Sequence, residues 1–164
     1  MKCDAIVNAC NSQMLGCFSP MHACIDNFIH TYAGVELRLK MHEIMTKQGH
    51  EEETGKAKIT SGYNLPAKYV LHTVGPIIQW KVTQEDENLL ASCYKECLKL
   101  AADTGVESIA FCCLSTGVFR FPQQRAAEIA TETVMQFLKK DDRIKKVIFN
   151  VFKNEDLEIY SHLL

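Results

Sequence analysis

The 164-residue sequence lacks both an excess of charge of one sign and a long apolar run. Its 18 basic and 20 acidic residues give a net charge of −2, so it has no electrostatic footprint for nucleic acid or an acidic membrane surface. No apolar run approaches the roughly 20 residues that a membrane-spanning helix needs. The first residues, MKCDAIVNAC, reach Asp4 before any apolar run and do not resemble a signal peptide. These absences predict a cytoplasmic protein without nucleic-acid or membrane partners.

The sequence also lacks internal repeats, low-complexity tracts and interdomain linkers. A length of 164 residues suits one domain with a substantial core. Hydrophobic residues make up 47% and charged residues 23%, which is ordinary for a globular protein. We therefore expect residues 1–164 to form a single domain.

Cysteine, in contrast, is abundant, with eight residues in the chain. A secreted disulfide framework usually comes with a shorter, loop-rich sequence, whereas most of these cysteines lie in periodic apolar segments. In those segments we expect buried free thiols that pack as small hydrophobic side chains. This expectation covers the helix-spaced pair Cys93 and Cys97, the pair Cys112 and Cys113 inside a predicted strand, and Cys3 and Cys10.

Apolar strands alternate with amphipathic helices along the chain. The predicted strands are DAIVN, AKITSG, KYVLHTV, SIAFCCL and KVIFNVF. The predicted helices are IDNFIHTYAG, VELRLKMHEIMTKQG, the segment 84–104, the segment that begins at Pro122, and NEDLEIYSHLL. Near-continuous apolar strands separated by helices predict an α/β fold whose sheet is covered on both faces.

Ligands of such sheets bind in the crevice beyond the carboxyl ends of the strands. Polar or glycine-bearing segments follow three of the predicted strands, after Asn8, after Leu114 and after Val151. Because parallel strands end at one edge of a sheet, we expect these three segments to converge there.

The segment STGVFRFP, at 115–122, leads from a predicted strand to a predicted helix. Gly117 would permit either a close approach of the backbone to a ligand or a positive φ. Backbone N–H groups and the helix dipole would then attract an anion such as a diphosphate. An ordinary turn is the alternative interpretation of the same residues.

Cys17, His22 and Cys24 form a C-x4-H-x-C cluster in the segment after the first strand. Two thiolates and one imidazole are good zinc ligands. No fourth ligand stands nearby in the sequence, and three protein ligands with one open position are typical of a catalytic zinc. A loop without metal is the alternative. His30 is either a fourth ligand or a residue that packs or caps at the far end of the helix.

Asp26 lies at the start of the predicted helix, two residues beyond Cys24. It is either an acid that complements the helix dipole or a general base that orients water beside a metal. Asn8 and Asn11, at the end of the first strand, are either turn residues or hydrogen-bonding partners of a sugar. Sequence position alone leaves these alternatives open.

Several of these segments together resemble the macrodomain family. DAIVNACNS resembles the family's signature, an apolar strand that ends in V-N-A-A-N, with Cys10 at the second alanine. IDNFIHTYAG, LSTGVFRFP and KVIFNVFKNEDLEIY resemble, in turn, the following helix of hydrolase-type macrodomains, the phosphate-binding loop, and the final strand and helix. The insert GCFSPMHAC is similar to the zinc-containing branch, which is often found beside sirtuin-type ADP-ribosyltransferases in microbes.

The resemblance implies a three-layer α/β/α macrodomain fold with a central mixed, mostly parallel sheet. It also implies a zinc-dependent hydrolase that removes mono-ADP-ribose from modified proteins, releases ADP-ribose and acts opposite a sirtuin-type ADP-ribosyltransferase. A non-catalytic ADP-ribose-binding module with a structural zinc is the alternative.

The resemblance also assigns site residues by position. Zinc (Zn2+) would be held by Cys17, His22 and Cys24. Asp26 would act near the anomeric carbon, and Asn11 would bind the distal ribose and serve catalysis, with Asn8 supporting the loop on the substrate side. The diphosphate and distal ribose would be wrapped by Ser115, Thr116, Gly117, Val118 and Phe119, and the adenosine end would lie beside Phe152.

The sequence departs from the family in one respect. The family's first strands, which include a Gly-Asp-Ile stretch whose acid contacts the adenine amino group, are not found before DAIVN. We therefore expect weakened adenine recognition and an uncovered edge on the last strand, where another chain could pair.

Overall fold

The computed structural model describes residues 2–164. In this part of the chain, five strands form one sheet: β1 (Ala5–Cys10), β2 (Ala57–Ser61), β3 (Tyr69–Val74), β4 (Ser108–Phe111) and β5 (Lys146–Phe149). Five helices accompany them: α1 (Ile25–Ala33), α2 (Val35–Gln48), α3 (Gln84–Asp103), α4 (Gln123–Leu138) and α5 (Asn154–Leu163). Each predicted strand and helix is present, and the differences lie at the ends of elements.

The sheet is mixed and mostly parallel, with the strand order β2-β3-β1-β4-β5. β1 lies between β3 and β4 and pairs in parallel with both, and β4 pairs in parallel with β5. β2 runs antiparallel to β3. The predicted character of the sheet is therefore confirmed.

Alternating side chains of β1 and β3 pack in two separate cores, because successive residues of a strand face opposite sides of the sheet. Val7 and Leu71 belong to the larger core, which packs against α3, α4 and α5. Cys10 and Val74 belong to a smaller core, which α1 and α2 cover. The sheet is thus the middle of three layers, as predicted.

β4 and β5 are shorter than predicted because their ladder ends at the pair Phe111 and Phe149. The Asn150 N–H still donates to the Phe111 carbonyl (2.7 Å), and the chain then leads into α5. Within residues 2–164, β4 has no partner residue in β5 beyond Phe111. The prediction that Cys112 and Cys113 lie inside a strand is therefore wrong.

All eight cysteines are free thiols. Among the six that were predicted to pack as buried hydrophobic side chains, burial is confirmed for Cys10, Cys93 and Cys97, whereas Cys3, Cys112 and Cys113 are half-buried. Within residues 2–164, none of the helices combines the length and the apolar character that crossing a membrane requires.

The four parallel strands direct their carboxyl ends to one edge of the sheet. The loops that leave this edge are 11–24 after β1, 75–83 after β3, 112–122 after β4 and 150–153 after β5. The Ile78 N–H donates to the Phe119 carbonyl (2.8 Å) and thereby links the β3 loop to the β4 loop. The three segments that were predicted to share this edge do so, and the β3 loop joins them.

Candidate metal centre and anion-binding loop

Three side chains of the β1 loop bring metal-ligating atoms together. The Cys17 Sγ lies 3.3 Å from the His22 Nδ1, and one ligand atom from each of Cys17, His22 and Cys24 lies within 4.8 Å of the others. Among residues 2–164, no other His, Cys, Asp or Glu joins this group. Two thiols and one imidazole at this spacing could hold a single zinc ion.

Asn27 shapes the loop from the first turn of α1. Its Nδ2 donates to the carbonyls of Cys17 (3.3 Å) and Ser19 (3.2 Å). The loop also closes on itself, because the His22 N–H donates to the Ser19 carbonyl (3.2 Å). Asn27 was not among the predicted site residues. Its one signal is its place at the start of a helix, from which a side-chain amide reaches back to the preceding loop.

The two thiols of the cluster differ in proton affinity. Cys24 is the N-cap of α1, where its Sγ accepts from the Asn27 N–H (3.4 Å), and burial raises the pKa of its thiol. For Cys17, burial acts in the same direction but is outweighed by hydrogen bonds from the Ser19 backbone and from His22, which lower the pKa of the thiol to about 7. A thiolate is therefore accessible near neutral pH, and metal binding favours loss of the second proton.

Asp26 occupies the first turn of α1, as predicted, and points into the protein. It is 4% exposed, and its Oδ1 accepts a hydrogen bond from the Asn8 Nδ2 (2.8 Å). Burial raises the pKa of its carboxyl, and the Asn8 hydrogen bond and the Arg38 charge partly offset this effect. The Arg38 guanidinium lies over the Phe18 ring, 4.4 Å from its centroid. Asp26 is thus an internal carboxylate directly behind the loop that carries Cys17, His22 and Cys24.

Asn8 lies within β1 and is fully buried, so it is not a turn residue. In addition to Asp26, its Nδ2 faces the His72 Nδ1 (3.4 Å), and the His72 Nε2 contacts the Thr60 Oγ1 (2.9 Å). Asn8 therefore contacts other buried side chains and does not lie at the surface of the site, whereas its support of the loop stays a prediction. His72 and Thr60 were not predicted as part of the site, because a single polar residue in an apolar strand does not reveal its partner.

His30 packs inside the protein and is not part of the metal-ligating cluster. It is 2% exposed, and its ring lies so close to Gly16 that a Cβ on that glycine would be 2.7 Å from the His30 Cγ. Its Nε2 lies 3.6 Å from the Asp26 Oδ1. Burial, assisted by the Arg38 charge, lowers the pKa of His30 to about 4. Of its two predicted roles, the packing role is confirmed.

Asn11 turns the chain at the start of the loop. Its Oδ1 accepts from the N–H groups of Gln13 (3.1 Å) and Met14 (3.2 Å), which is an Asx turn. Its Nδ2 donates to no acceptor in the part of the chain that the structure describes, so this group is available to a ligand. Of the two alternatives for Asn11, the structure therefore shows the turn residue.

The loop 115–121 carries a row of free backbone donors. The Arg120 N–H donates to the Gly117 carbonyl (3.0 Å) and the Phe121 N–H to the Ser115 carbonyl (3.0 Å), so the loop closes on itself. Across the described residues 2–164, the N–H groups of 115–119 find no acceptor. Consecutive free N–H groups that precede a helix are suited to binding an anion.

Gly117 does not supply a positive φ, which was one of its two predicted uses. A Cβ on Gly117 would meet no atom within 4 Å, and its backbone lies outside the left-handed region. The positive φ values of this loop fall on Ser115 (64°) and Arg120 (62°). The close approach of a ligand to the backbone at Gly117 stays a prediction.

Ser115 directs its hydroxyl toward Gly75 in the loop after β3. Ser115 is 7% exposed, and a Cβ on Gly75 would lie only 2.0 Å from the Ser115 Oγ. The Ser115 Oγ is buried and has no hydrogen-bond partner among the described residues. Gly75 is therefore needed for the two loops to approach each other. In the sequence, Gly75 stands out only as the residue that follows the predicted strand KYVLHTV.

The remaining residues that were predicted to contact ligand lie at the same edge. Val118 and Phe152 are exposed, and Thr116 and Phe119 are half-buried. Trp80, in the loop after β3, adds a side chain that is 95% exposed. Apolar side chains around a few convergent polar groups are typical of ligand sites.

Comparison with known proteins identifies relatives over nearly the whole chain. The sequence matches the Macro domain family over residues 7–130. It is 60% identical over 164 residues to a protein-ADP-ribose hydrolase of Treponema medium, a match that covers 100% of this chain and 63% of the relative.

Two solved structures are also similar to this chain. The Oceanobacillus iheyensis macrodomain with ADP has a TM-score of 0.87 and 39% sequence identity, covering 98% of this chain and 82% of that one. The Trypanosoma brucei macrodomain in complex with ADP-ribose has a TM-score of 0.82 and 35% identity, covering 98% of this chain and 63% of that one.

The chain therefore belongs to the Macro domain family. It spans 63% of the length of the Treponema medium relative. The predicted family is confirmed, whereas membership of its zinc-containing branch stays a prediction.

We expect Gly75→Ala to destabilise the protein, because the new Cβ would lie 2.0 Å from the Ser115 Oγ and must displace the β4 loop. Overpacking of this kind lowers the free energy of unfolding by about 1–3 kcal/mol. Urea denaturation followed by circular dichroism measures the loss.

Gly117→Ala is the matched control, because a Cβ there meets open space, and its stability should equal that of the unsubstituted protein. Adding Ser115→Gly to Gly75→Ala removes the obstructing hydroxyl and should restore most of the lost stability. If Gly75→Ala is as stable as Gly117→Ala, the contact between the two loops does not constrain the fold.

Proposed function

We propose that this chain removes ADP-ribose from mono-ADP-ribosylated proteins by hydrolysis, with a zinc ion held by Cys17, His22 and Cys24. The observation that carries the proposal is the position of these three ligand groups directly before Asp26, at the sheet edge that also bears the free N–H groups of 115–119. The Treponema medium relative, which is named a protein-ADP-ribose hydrolase, supports the same reaction.

The residues of the cluster fit zinc by their chemistry. Two thiols and an imidazole are soft or borderline ligands, and three protein ligands leave a position open for water or substrate. When bound, zinc would supply Lewis acidity, which polarises an oxygen atom or lowers the pKa of a water molecule. Asn27 would keep the ligand-bearing loop in place through its bonds to Cys17 and Ser19.

Different parts of the edge would bind different parts of ADP-ribose. The free N–H groups of 115–119 would donate to the diphosphate. The Asn11 Nδ2 would donate to a hydroxyl of the distal ribose, and the exposed Phe152 ring would lie beside the adenosine end. Fixing the sugar at several points sets the geometry of attack before the reaction begins.

Asp26 would orient or deprotonate the attacking water. Its Oδ1 is held by Asn8, so the carboxylate has a fixed direction, and 6% of the side chain is accessible. Attack of water on the anomeric carbon breaks the bond to the protein side chain. The water oxygen stays on the released ADP-ribose, and the proton passes to the leaving protein group.

A non-catalytic ADP-ribose-binding module with a structural zinc is the second candidate. The burial of Asp26 favours it, because a buried, hydrogen-bonded acid at a helix start also serves a purely structural purpose. The ligand count favours the hydrolase, since structural zinc sites are almost always closed by four protein ligands.

A hydrolase of this kind needs a partner reaction that attaches the group it removes. The chain would therefore act opposite an ADP-ribosyltransferase, whose product is its substrate. That this transferase is of the sirtuin type stays a prediction from the resemblance of the GCFSPMHAC insert.

Cys24→Ser and Asp26→Asn should separate zinc binding from catalysis. Cys24→Ser keeps an oxygen at the N-cap of α1 but removes a thiolate ligand, so bound zinc and ADP-ribose release should fall together. Asp26→Asn keeps an acceptor for Asn8 and all three ligands, so zinc should be retained while the release rate falls on the order of 10²-fold or more. Atomic emission gives zinc per chain, and single-turnover release from mono-ADP-ribosylated protein gives the rate.

Cys113→Ala is the control, because Cys113 is a half-buried free thiol outside the cluster, and neither zinc nor rate should change. The proposal fails if Cys24→Ser retains full zinc, or if zinc-free protein hydrolyses as fast as the zinc-loaded form. A protein that holds zinc and binds ADP-ribose but releases none from modified proteins is the binding module.

Gly117→Glu should abolish ADP-ribose binding while the fold survives. The new side chain enters open space beside the free N–H groups, where its bulk and negative charge oppose a diphosphate. Gly117→Ala adds only a methyl group and no charge, so it should weaken binding much less than Gly117→Glu does. Calorimetry measures both affinities, and unchanged binding by a normally folded Gly117→Glu would remove the phosphate role from this loop.

A further inference from the structure

A chain of buried polar groups crosses the smaller core and ends at Asp26. Thr60, His72, Asn8 and Asp26 are 6%, 0%, 0% and 4% exposed, respectively. Asn8 and His72 are direct partners in the parallel ladder between β1 and β3, so their side chains lie side by side on the face that α1 covers. The successive contacts measure 2.9 Å from Thr60 to His72, 3.4 Å from His72 to Asn8, and 2.8 Å from Asn8 to Asp26.

The hydrogen bond to Asp26 determines how the Asn8 amide is oriented. The Asn8 Nδ2 donates to the Asp26 Oδ1 (2.8 Å), so the amide NH2 and not the amide oxygen faces the carboxyl group. The second hydrogen of the same NH2 then points at the His72 Nδ1, which must act as an acceptor. The Cys10 thiol, 3.7 Å from this nitrogen, has the Asn8 carbonyl at 3.6 Å as its own acceptor.

The protonation state of His72 fits this role. Complete burial, with the neighbouring His30, lowers the pKa of His72 to about 3, so the ring is neutral under ordinary conditions. A neutral ring that accepts at Nδ1 carries its proton on Nε2 and donates it to the Thr60 Oγ1. The Thr60 hydroxyl can accept this hydrogen bond, so its position is compatible with the tautomer of His72 that accepts from Asn8.

An apolar residue at position 72 would fill the space but leave the Asn8 NH2 with one of its two acceptors, the Asp26 Oδ1. One buried N–H would lose its acceptor, and the amide could turn away from Asp26. His30 does not replace this support, because its Nε2 lies 3.6 Å from the Asp26 Oδ1, beyond hydrogen-bonding distance. The direction of the carboxylate therefore depends on His72 through Asn8.

We propose that His72 is a positioning residue for ADP-ribose hydrolysis, which orients the Asn8 amide and through it the Asp26 carboxylate. This inference rests on the role proposed above for Asp26. It assigns His72 no contact with the substrate and no proton transfer, since the ring is fully buried.

Two substitutions of His72 test the inference. His72→Asn places an amide oxygen near the position of Nδ1 and can still accept from Asn8, whereas His72→Leu cannot. We expect His72→Leu to lower the single-turnover rate of ADP-ribose release about 10–100-fold, as outer support groups typically do. Zinc content and ADP-ribose affinity should stay close to those of the unsubstituted protein, and His72→Asn should recover most of the lost rate.

A purely structural role would give a different pattern, in which rate and ADP-ribose affinity fall together and follow the melting temperature in both variants. Equal rates for His72→Leu and the unsubstituted protein would overturn the inference. So would a folded His72→Asn variant that is as slow as His72→Leu.

The tautomer of His72 is tested independently of any activity. Nitrogen-15 NMR of the unsubstituted protein should show an unprotonated Nδ1 and a protonated Nε2, and the opposite tautomer would overturn the inference even if His72→Leu were slow. Failure of the unsubstituted, zinc-loaded protein to release ADP-ribose would instead reject the proposed function, and the assignment of a catalytic positioning role would fall with it.

Discussion

The hydrogen bond between Asn8 and Asp26 is the contact on which the rest of the candidate site depends. It joins the inner strand β1 to the first turn of α1 over 2.8 Å, between two side chains that are almost completely buried. Leaving a buried group without its partner costs about 1–3 kcal/mol, and more when the group is charged. α1 therefore cannot shift relative to the sheet without a penalty. Because Cys24 caps this helix and Asn27 holds the preceding loop, the same bond fixes the place of the candidate cluster of Cys17, His22 and Cys24.

The candidate site needs buried polar side chains, whereas the core around it needs apolar ones, and these two requirements conflict in a small protein. The core under α1 and α2 is apolar for the most part, yet a line of polar side chains from Thr60 to Asp26 passes through it. Such a line stabilises one arrangement only when each member has a partner, and it costs stability otherwise. Conflicts between local packing and polar burial are expected at functional sites. The position of this line, ending behind Cys17, His22 and Cys24, agrees with that expectation.

The sequence predicted the order of strands and helices well, because burial on both faces gives continuous apolar strands and amphipathic helices. It also predicted the cluster of Cys17, His22 and Cys24, since residues so close in sequence have few ways to separate. The ends of β4 and β5 were less predictable, because a strand ends where its partner does, and the partner lies far along the chain.

The contacts that were not predicted also join residues far apart in the sequence. His72 meets Asn8 across 64 positions of sequence, and Gly75 approaches Ser115 across two different loops. No local pattern reports such contacts, which depend on strand register. The inward direction of Asp26 was unpredictable for the same reason, because a helix start indicates an acid near the dipole but not the strand residue that it meets.

A crystal structure of the protein grown with zinc and ADP-ribose, with anomalous diffraction recorded on both sides of the zinc absorption edge, would test the site most directly. We expect one zinc ion bound by Cys17, His22 and Cys24, the diphosphate on the N–H groups of 115–119, and the distal ribose between that loop and Asp26. A zinc ion held by other residues, or an ADP-ribose whose distal ribose lies away from Asp26, would contradict the proposed site.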